Sequence, residues 1–487
     1  MTTMTSAKQI AARIDHRLRS IGEAGRCSAG WLTMCSSGLA GPVPAPILTL
    51  LDSGCQAGLD VGRRSMSCRC ELGIRAYLRR AAPNPPKISM GVTLVPSNFL
   101  FISIPDPGRL FPHLAVGKEL VRRGHRVRFV SVEPMAGIVG SYGAEPLVYR
   151  SAYESIPVHE EKEMSAEAAM LALSVDDSAA MIDAVEAAYG DERPDLIAYD
   201  VASGTAGRVL ARKWGCPAAQ LYADFAQNEE FAYTQAFDDD GVALGKPLSP
   251  AEWAARPELK PWVDRTERLL AAHGLPDVTF AELLEVVQDF NLVYVPKALQ
   301  PVADSFDERF RFVGPCVDEQ AVPGDWQPPA DGLPVVFIPS APQSADLARV
   351  FAGAPVHVVL TPGPGADPAS LSELPPNVEV HASLPQGVLR HAAVVVSQGE
   401  VGNVTEALAA GRPVVVVPPA PPARIIGFQL ARLGLGCLAA PDELRDAVFG
   451  LIGDPALAER LSWMRGEIEE AGGVVRAADE LEAQTAR

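Results

Sequence analysis

Several short runs in the sequence combine residue types that could carry chemistry. The run 238–241 (Asp-Asp-Asp-Gly) offers carboxylates for a divalent cation, but its spacing matches no complete metal-binding loop. The run 363–365 (Gly-Pro-Gly) follows an apolar stretch, yet proline between the glycines favours a turn over a phosphate cradle. No Gly-x-Ser-x-Gly nucleophile motif occurs. These runs therefore predict neither a metal site nor a hydrolase.

Arg109 and His113 form a more informative pair. They are four residues apart, which places them on one face of a predicted helix. A guanidinium stays protonated near neutral pH and has no lone pair to accept a proton. An imidazole can act as a general base, provided that it reaches the substrate. We favour a structural role for His113, packed under the floor of a cleft, and keep the catalytic role open.

The elements that position these residues alternate between short apolar strands and helices. A helix is predicted over 111–123 and ends at Gly124. The predicted strands are 99–104, 126–131, 196–199, 218–222, 292–295, 310–313, 335–338, 356–360, 378–380, 394–397 and 413–417. This alternation predicts an α/β protein with two doubly wound parallel sheets and a cleft between them.

In open α/β sheets, ligands bind beyond the carboxyl ends of the strands. A ligand site is therefore expected at the loops that follow Ile104, Tyr199, Ile338, Ser397 and Val417. The first of these, 105–109, lacks the three glycines of a dinucleotide-binding turn. A nicotinamide or flavin oxidoreductase is thereby disfavoured.

Composition divides the chain into four segments. Residues 1–89 hold twelve Lys and Arg against five Asp and Glu, and five of the eight cysteines, although the whole chain has a net charge of −18. We interpret 1–89 as a disordered leader or a start-site artefact, because the regular pattern begins after Met90. The stretch 321–333 has the composition of a linker between an acceptor-type domain at 90–320 and a donor-type domain at 334–487.

The charge and hydropathy patterns also limit the partners. A net charge of −18 disfavours nucleic acid and anionic membranes. No stretch reaches the ~18 consecutive apolar residues of a membrane span. We therefore predict a soluble, cytoplasmic protein that binds a small apolar metabolite, with a homo-oligomer or a partner protein also compatible.

At the predicted strand ends, the sequence resembles the macrolide-type glycosyltransferases, which are nucleotide-sugar enzymes of the two-domain GT-B architecture. The similar runs are 108–127, 194–200, 225–231, 312–315, 384–386 and 396–436. The similarity extends from residue 97 to residue 485 and leaves out the leader. It implies a GT-B fold in which the C-terminal helix after Gly473 packs near the first domain.

The resemblance also implies residue roles on the acceptor side. In the family, a histidine after the first-loop glycine is the general base, and an Asp at the end of a later strand orients it. Here Arg109 stands at the place of the histidine and Asp200 at that of the Asp, so we expect a salt bridge between them. The catalytic candidates are thus Arg109, His113 and Asp200. The residues expected to line the acceptor cleft are Phe111, Asp224, Phe225, Asn228 and Phe231.

The donor side departs further from the family, whose members hold a sugar diphosphate on backbone amides at helix starts. Pro339 and Pro342 remove such amides, and Glu400 places a carboxylate where phosphate would lie. We expect the free amides at the helix start to stabilise this carboxylate, with Arg424 as a second partner. The donor-side positions are Ser340, Pro385, Gln386, Gln398, Gly399, Glu400, Asn403, Glu406 and Arg424.

A loss of three hydrogen bonds to phosphate costs roughly 5–9 kcal/mol, whereas donor binding at about 0.1–1 mM is worth only about 4–6 kcal/mol. The prediction is therefore a glycosyltransferase-family protein of natural-product metabolism without the catalytic histidine and the diphosphate-binding motifs. It would act on or bind an acceptor-like apolar metabolite without a sugar nucleotide or other cofactor. Two alternatives stay open: a working O-glycosyltransferase with an altered donor site, and a non-catalytic binding protein.

Overall fold

The computed structural model describes residues 96–155, 166–233, 243, 245–318, 326–341, 343–362, 371, 373–381, 387–419 and 423–485. The predicted leader at 1–89 lies outside the described residues. The same holds for the runs 238–241 and 363–365, and for Pro385 and Gln386.

Two parallel sheets organise the described chain. The first sheet has seven strands in the order β3-β2-β1-β4-β5-β6-β7, and the second has six in the order β10-β9-β8-β11-β12-β13. The strands of the first sheet are β1 (Asn98–Ile102), β2 (Arg126–Ser131), β3 (Glu145–Val148), β4 (Leu196–Asp200), β5 (Ala218–Tyr222), β6 (Asn291–Val293) and β7 (Phe310–Phe312). Those of the second are β8 (Val335–Ala341), β9 (His357–Pro362), β10 (Val378–Val380), β11 (Ala392–Ser397), β12 (Val414–Val416) and β13 (Gly436–Leu438).

Helices connect the strands. In the first half they are α1 (Pro107–Arg122), α2 (Glu133–Ser141), α3 (Ala166–Tyr189), α4 (Gly204–Trp214), α5 (Pro250–Ala254), α6 (Lys260–Ala272) and α7 (Phe280–Leu283). In the second half they are α8 (Ser344–Arg349), α9 (Val388–His391), α10 (Val401–Ala409), α11 (Arg424–Leu433), α12 (Leu444–Ile452), α13 (Leu457–Ala471) and α14 (Gly473–Thr485). Among the described residues, none of the helices has the length and hydropathy needed to cross a membrane.

The predicted strands are all found, and their ends differ from the prediction by at most three residues. They could be predicted because strands covered by helices on both faces are continuously apolar, as in Phe99 to Ile102, which is fully buried. The short strands β3 and β13 were missed. They read EPLV and GCL, and neither is a β-branched run bounded by turn residues.

One hydrophobic cluster contains residues of both halves of the chain. Phe225 and Phe231 from the first half belong to it together with Phe337, Met464 and Ile468 from the second. These buried side chains join the two sheets through a shared apolar core.

The C-terminal helix α14 returns to the first sheet. Its Glu482 accepts a hydrogen bond from Arg123 at 2.9 Å and contacts His125 Nε2 at 2.8 Å. Ala478 and Leu481 of α14 are fully buried in the core of the first half. The predicted packing of this helix near the first domain is confirmed.

Each sheet reverses its strand order at one point. In the first sheet the reversal lies between β1 and β4, and in the second between β8 and β11. The chain leaves the two strands at such a point in opposite directions, which opens a crevice beyond their carboxyl ends. These two crevices are where the candidate site residues lie.

Candidate functional site: two crevices at the strand reversals

The first crevice holds a guanidinium shared by two carboxylates. Arg109 lies in the first turn of α1, Asp200 ends β4, and Asp224 follows β5. Arg109 Nη1 lies 3.1 Å from Asp200 Oδ1, and Nη2 contacts Asp224 Oδ2. The predicted salt bridge between Arg109 and Asp200 is confirmed, and Asp224 is a second partner that the sequence did not reveal.

Burial and neighbouring charges shift the pKa values of Asp200 and Arg109 in opposite directions. The side chain of Asp200 is fully buried, which by itself would raise its pKa. The charge of Arg109 and hydrogen bonds from His113 and the Ala202 amide outweigh burial, so the pKa of Asp200 is lowered. Burial would lower the pKa of Arg109, but the surrounding carboxylates raise it instead. Arg109 therefore stays charged and cannot act as a base.

Asp224 differs from Asp200 in its surroundings. Burial raises the pKa of Asp224, and although the charge of Arg109 opposes this effect, the neighbouring carboxylate of Asp200 adds to it. Its side chain keeps 29% of its exposure, so it is the carboxylate of this crevice that a ligand can reach.

His113 lies beneath the crevice and not in it. The residue has no exposed surface. Its Nε2 is 3.0 Å from Asp200 Oδ2, and its Nδ1 is 3.2 Å from the hydroxyl of Tyr294. This is the structural role that the sequence favoured. Tyr294 could not be found from sequence, because it is 181 residues away and carries no motif.

The expected acceptor-cleft residues are mostly buried. Phe225 and Phe231 have 0% and 1% exposure and pack edge to face, with ring centroids 6.2 Å apart. The amide of Asn228 donates to Ser305 at 2.9 Å and so holds its own loop in place. The expectation that these three side chains line an open cleft is wrong, because the shared apolar core takes the rings. Phe111 is half-buried on α1.

The second crevice is bordered by the side-chain amides of two glutamines. Gln398, directly after β11, is buried, and its Nε2 donates to Oε1 of Gln343 at 3.0 Å. Gly399 has φ of 100°, and a Cβ there would lie 2.7 Å from the Ala423 carbonyl oxygen, so this position requires glycine. Ser340 lies within β8.

Glu400 precedes α10 but does not cap it. Its carboxylate accepts hydrogen bonds from Ser397 Oγ at 3.1 Å and Asn403 Nδ2 at 3.5 Å, and no side-chain cap bond is made to the helix amides. The expected stabilisation by the helix amides is wrong. Short side chains cap helices, whereas the extra methylene of Glu carries its carboxylate past the first-turn amides.

Two further donor-side residues lie on helices. The guanidinium of Arg424, expected beside Glu400, stacks over the ring of Phe428 at 5.0 Å. Glu406 is half-buried on α10. The described residues contain no group of three or more His, Cys, Asp or Glu that could hold a metal ion.

No family model matches the chain. The chain is 33% identical over 413 residues to the oleandomycin glycosyltransferase of Streptomyces antibioticus, with 81% of this chain and 92% of that protein covered. Among solved structures, a glycosyltransferase of kitacinnamycin is 35% identical with a TM-score of 0.68, and covers 80% of this chain and 99% of its own. A calicheamicin glycosyltransferase is 34% identical with the same TM-score and the same coverage.

These similarities, together with two parallel sheets in one chain, define a GT-B protein of the glycosyltransferase class. The chain belongs to the macrolide-type family of natural-product glycosyltransferases.

Proposed function

We propose that this family member binds an acceptor-like apolar metabolite and does so without a sugar nucleotide. The observation that carries the proposal is the contact of Arg109 with both Asp200 and Asp224. Arg109 occupies the position at which the resemblance places the general base, and a guanidinium cannot accept a proton from a hydroxyl group.

The oxygens of Asp200 are also engaged. Oδ1 accepts from Arg109 and from the Ala202 amide at 2.7 Å, and Oδ2 is 3.0 Å from the His113 ring. A carboxylate with a lowered pKa and these partners is a poor base, because its proton affinity is reduced and its lone pairs are occupied. These contacts support a cleft that binds a ligand but lacks the base expected, from the family resemblance, to remove a proton from the acceptor hydroxyl group.

The donor side supports the same proposal. Glu400 carries a negative charge at the start of α10, where the family would place a diphosphate. Coulomb repulsion between this carboxylate and a phosphate opposes nucleotide binding.

Calorimetric titration with uridine diphosphate and thymidine diphosphate tests the proposal. We expect no binding tighter than about 1 mM for either nucleotide. Release of free sugar or transfer of sugar from a nucleotide sugar should also be absent. Binding of either nucleotide at micromolar concentration would refute the proposal.

A working O-glycosyltransferase is the second candidate, and one observation favours it. His113 and Asp200 form a His-Asp pair one helical turn from the expected position. Under this candidate, sugar transfer from a nucleotide sugar to oleandomycin, followed by mass spectrometry, would be detected and would be lost in His113→Gln. Transfer that survives His113→Gln would exclude His113 as the base.

A further inference from the structure

The first crevice carries more negative than positive charge. Asp106 directly precedes α1, Asp200 ends β4 and Asp224 follows β5. The charges of all three carboxylates act on the guanidinium of Arg109. The carboxylates of Asp106 and Asp200 also act on that of Asp224. Three carboxylates therefore share one guanidinium, and the cluster lacks a second cation.

His113 does not supply that cation. Its Nε2 lies 3.0 Å from Asp200 Oδ2, and its Nδ1 lies 3.2 Å from the hydroxyl of Tyr294. A neutral ring satisfies both contacts, because Nε2–H donates to the carboxylate and Nδ1 accepts from the hydroxyl. Even a charged imidazole would leave more carboxylates than cations in the cluster.

Asp224 is the carboxylate with the weakest compensation. Burial raises its pKa, the charge of Arg109 offsets this only in part, and the carboxylates of Asp200 and Asp106 add to the rise. Arg109 Nη2 contacts Oδ2 of Asp224, while within the described ranges no donor is found for Oδ1. A further cation would stabilise this carboxylate, which a ligand can reach because 29% of the side chain is exposed.

A buried hydroxyl without a partner lies at the same strand ends. Ser203 is 1% exposed and belongs to the turn that follows Asp200 and packs against β5. Its Oγ has no hydrogen-bond partner in the part of the chain that the structure describes. Native proteins rarely leave a buried polar group in this state. A ligand with N–H groups would satisfy the hydroxyl oxygen as an acceptor.

Tyr233 adds an aromatic ring near the carboxylate. The residue is half-buried, its ring stacks on that of Phe225 with centroids 6.3 Å apart, and its hydroxyl accepts from the Phe225 amide at 2.8 Å. Burial, and after it the carboxylate of Asp224, raises the pKa of Tyr233 well above its usual value, so the two groups lie within electrostatic range. Aromatic rings attract cations through their faces. A carboxylate, an aromatic ring and a hydroxyl acceptor together suit an ammonium group.

We infer that the first crevice takes a protonated amine, carried by an otherwise apolar ligand, whose ammonium group pairs with Asp224. The inference rests on the proposed function, because it names a chemical group of the metabolite proposed to bind there. An ammonium group donates three hydrogen bonds and brings the charge that the cluster lacks. The same carboxylates repel an anionic ligand, and a neutral hydroxyl group gains less from them than a cation does.

Saturation-transfer NMR with three matched indoles tests the inference. Tryptamine carries an ammonium group, tryptophol has a hydroxyl group in its place, and indole-3-propionate has a carboxylate on the same chain. At neutral pH we expect saturable binding of tryptamine and binding of tryptophol that is weaker by about tenfold. Indole-3-propionate should bind more weakly than tryptophol.

Four variants assign the preference to this cluster. Asp224→Asn should weaken tryptamine binding by about tenfold and leave tryptophol binding unchanged, which a loss of structure would not do. Asp224→Glu keeps the charge and should keep the preference for the amine. Asp106→Asn should weaken tryptamine binding by about threefold, and it carries the test if Asp224→Asn does not fold. Asp442→Asn, which removes the same charge from an exposed position, is the matched control and should bind all three indoles as the wild type does.

Three results would overturn the inference. They are the absence of saturable tryptamine binding up to about 50 mM, tryptophol binding as tight as that of tryptamine, and wild-type tryptamine affinity in Asp224→Asn and Asp106→Asn. A titration with uridine diphosphate separates this failure from that of the proposed function. Nucleotide binding would refute the proposed function and leave the amine preference standing, whereas equal binding of tryptamine and tryptophol would refute only the amine inference.

Discussion

Arg109 and Asp200 join the two strands at which the first sheet reverses its order, with 3.1 Å between Nη1 and Oδ1. Asp200 is fully buried and Arg109 keeps 24% of its exposure, so the pair forms the floor of the crevice. An uncompensated charge at this depth is costly, so the guanidinium of Arg109 and its carboxylate partners stabilise one another.

The first prediction concerns this pair. Arg109→Met should lower the free energy of unfolding by about 2–4 kcal/mol, because Asp200 would lose its cation while remaining buried. Arg109→Met combined with Asp200→Asn should cost less than the sum of the single variants, with a coupling energy of about 1–3 kcal/mol in urea denaturation. A coupling energy below about 0.5 kcal/mol would show that the pair contributes little.

The second prediction concerns pH. Because the folded state lowers the pKa of Asp200 below 3.8, the stabilisation it provides is present above that pH. It is lost as the pH falls through the lowered value. The free energies of unfolding of the wild type and Asp200→Asn should therefore differ most above pH 4 and converge in acid. Asp442→Asn, at an exposed position, is the control. A constant difference across the acid range would contradict the assignment.

The third prediction tests the packing of α4 on β4, the strand that ends in Asp200. A Cβ at Gly207 would lie 2.2 Å from the ring of Tyr199. Gly207→Ala should therefore destabilise the protein by about 1–3 kcal/mol. Gly450, inside α12, has no atom within 4 Å of such a Cβ. Gly450→Ala should stabilise by up to about 1 kcal/mol, because alanine favours the helix. Thermal unfolding of both variants gives the comparison, and equal effects would refute the packing argument.

The fourth prediction concerns Glu400 and Gln398, two residues of the expected donor side. Glu400→Gly combined with Gln398→His removes the carboxylate before α10 and places an imidazole after β11, so uridine diphosphate should bind with a dissociation constant of about 1 mM or lower. Glu400→Gln alone should have a smaller effect. If the double variant binds no nucleotide, Glu400 is not what prevents diphosphate binding, and the missing amides at Pro339 become the dominant cause.

The sequence by itself determined eleven of the thirteen strands of the two sheets and the identity of the residues at the strand ends. Apolar runs such as Phe99 to Ile102 are local patterns, whose length and composition predict buried strands without knowledge of the tertiary structure. Arg109 at the position of the expected base, and Glu400 just before a predicted helix, can likewise be recognised from the sequence alone.

Only the tertiary structure decided which groups meet. Asp224 lies 115 residues from Arg109, and their contact depends on β5 lying beside β4 in the sheet, which periodicity does not specify. Phe225 and Phe231 became core residues because the two halves of the chain share one apolar cluster. The carboxylate of Glu400 turned to Ser397 because side-chain length and rotamer direct it there, and a residue's identity fixes neither the rotamer nor the neighbours it finds.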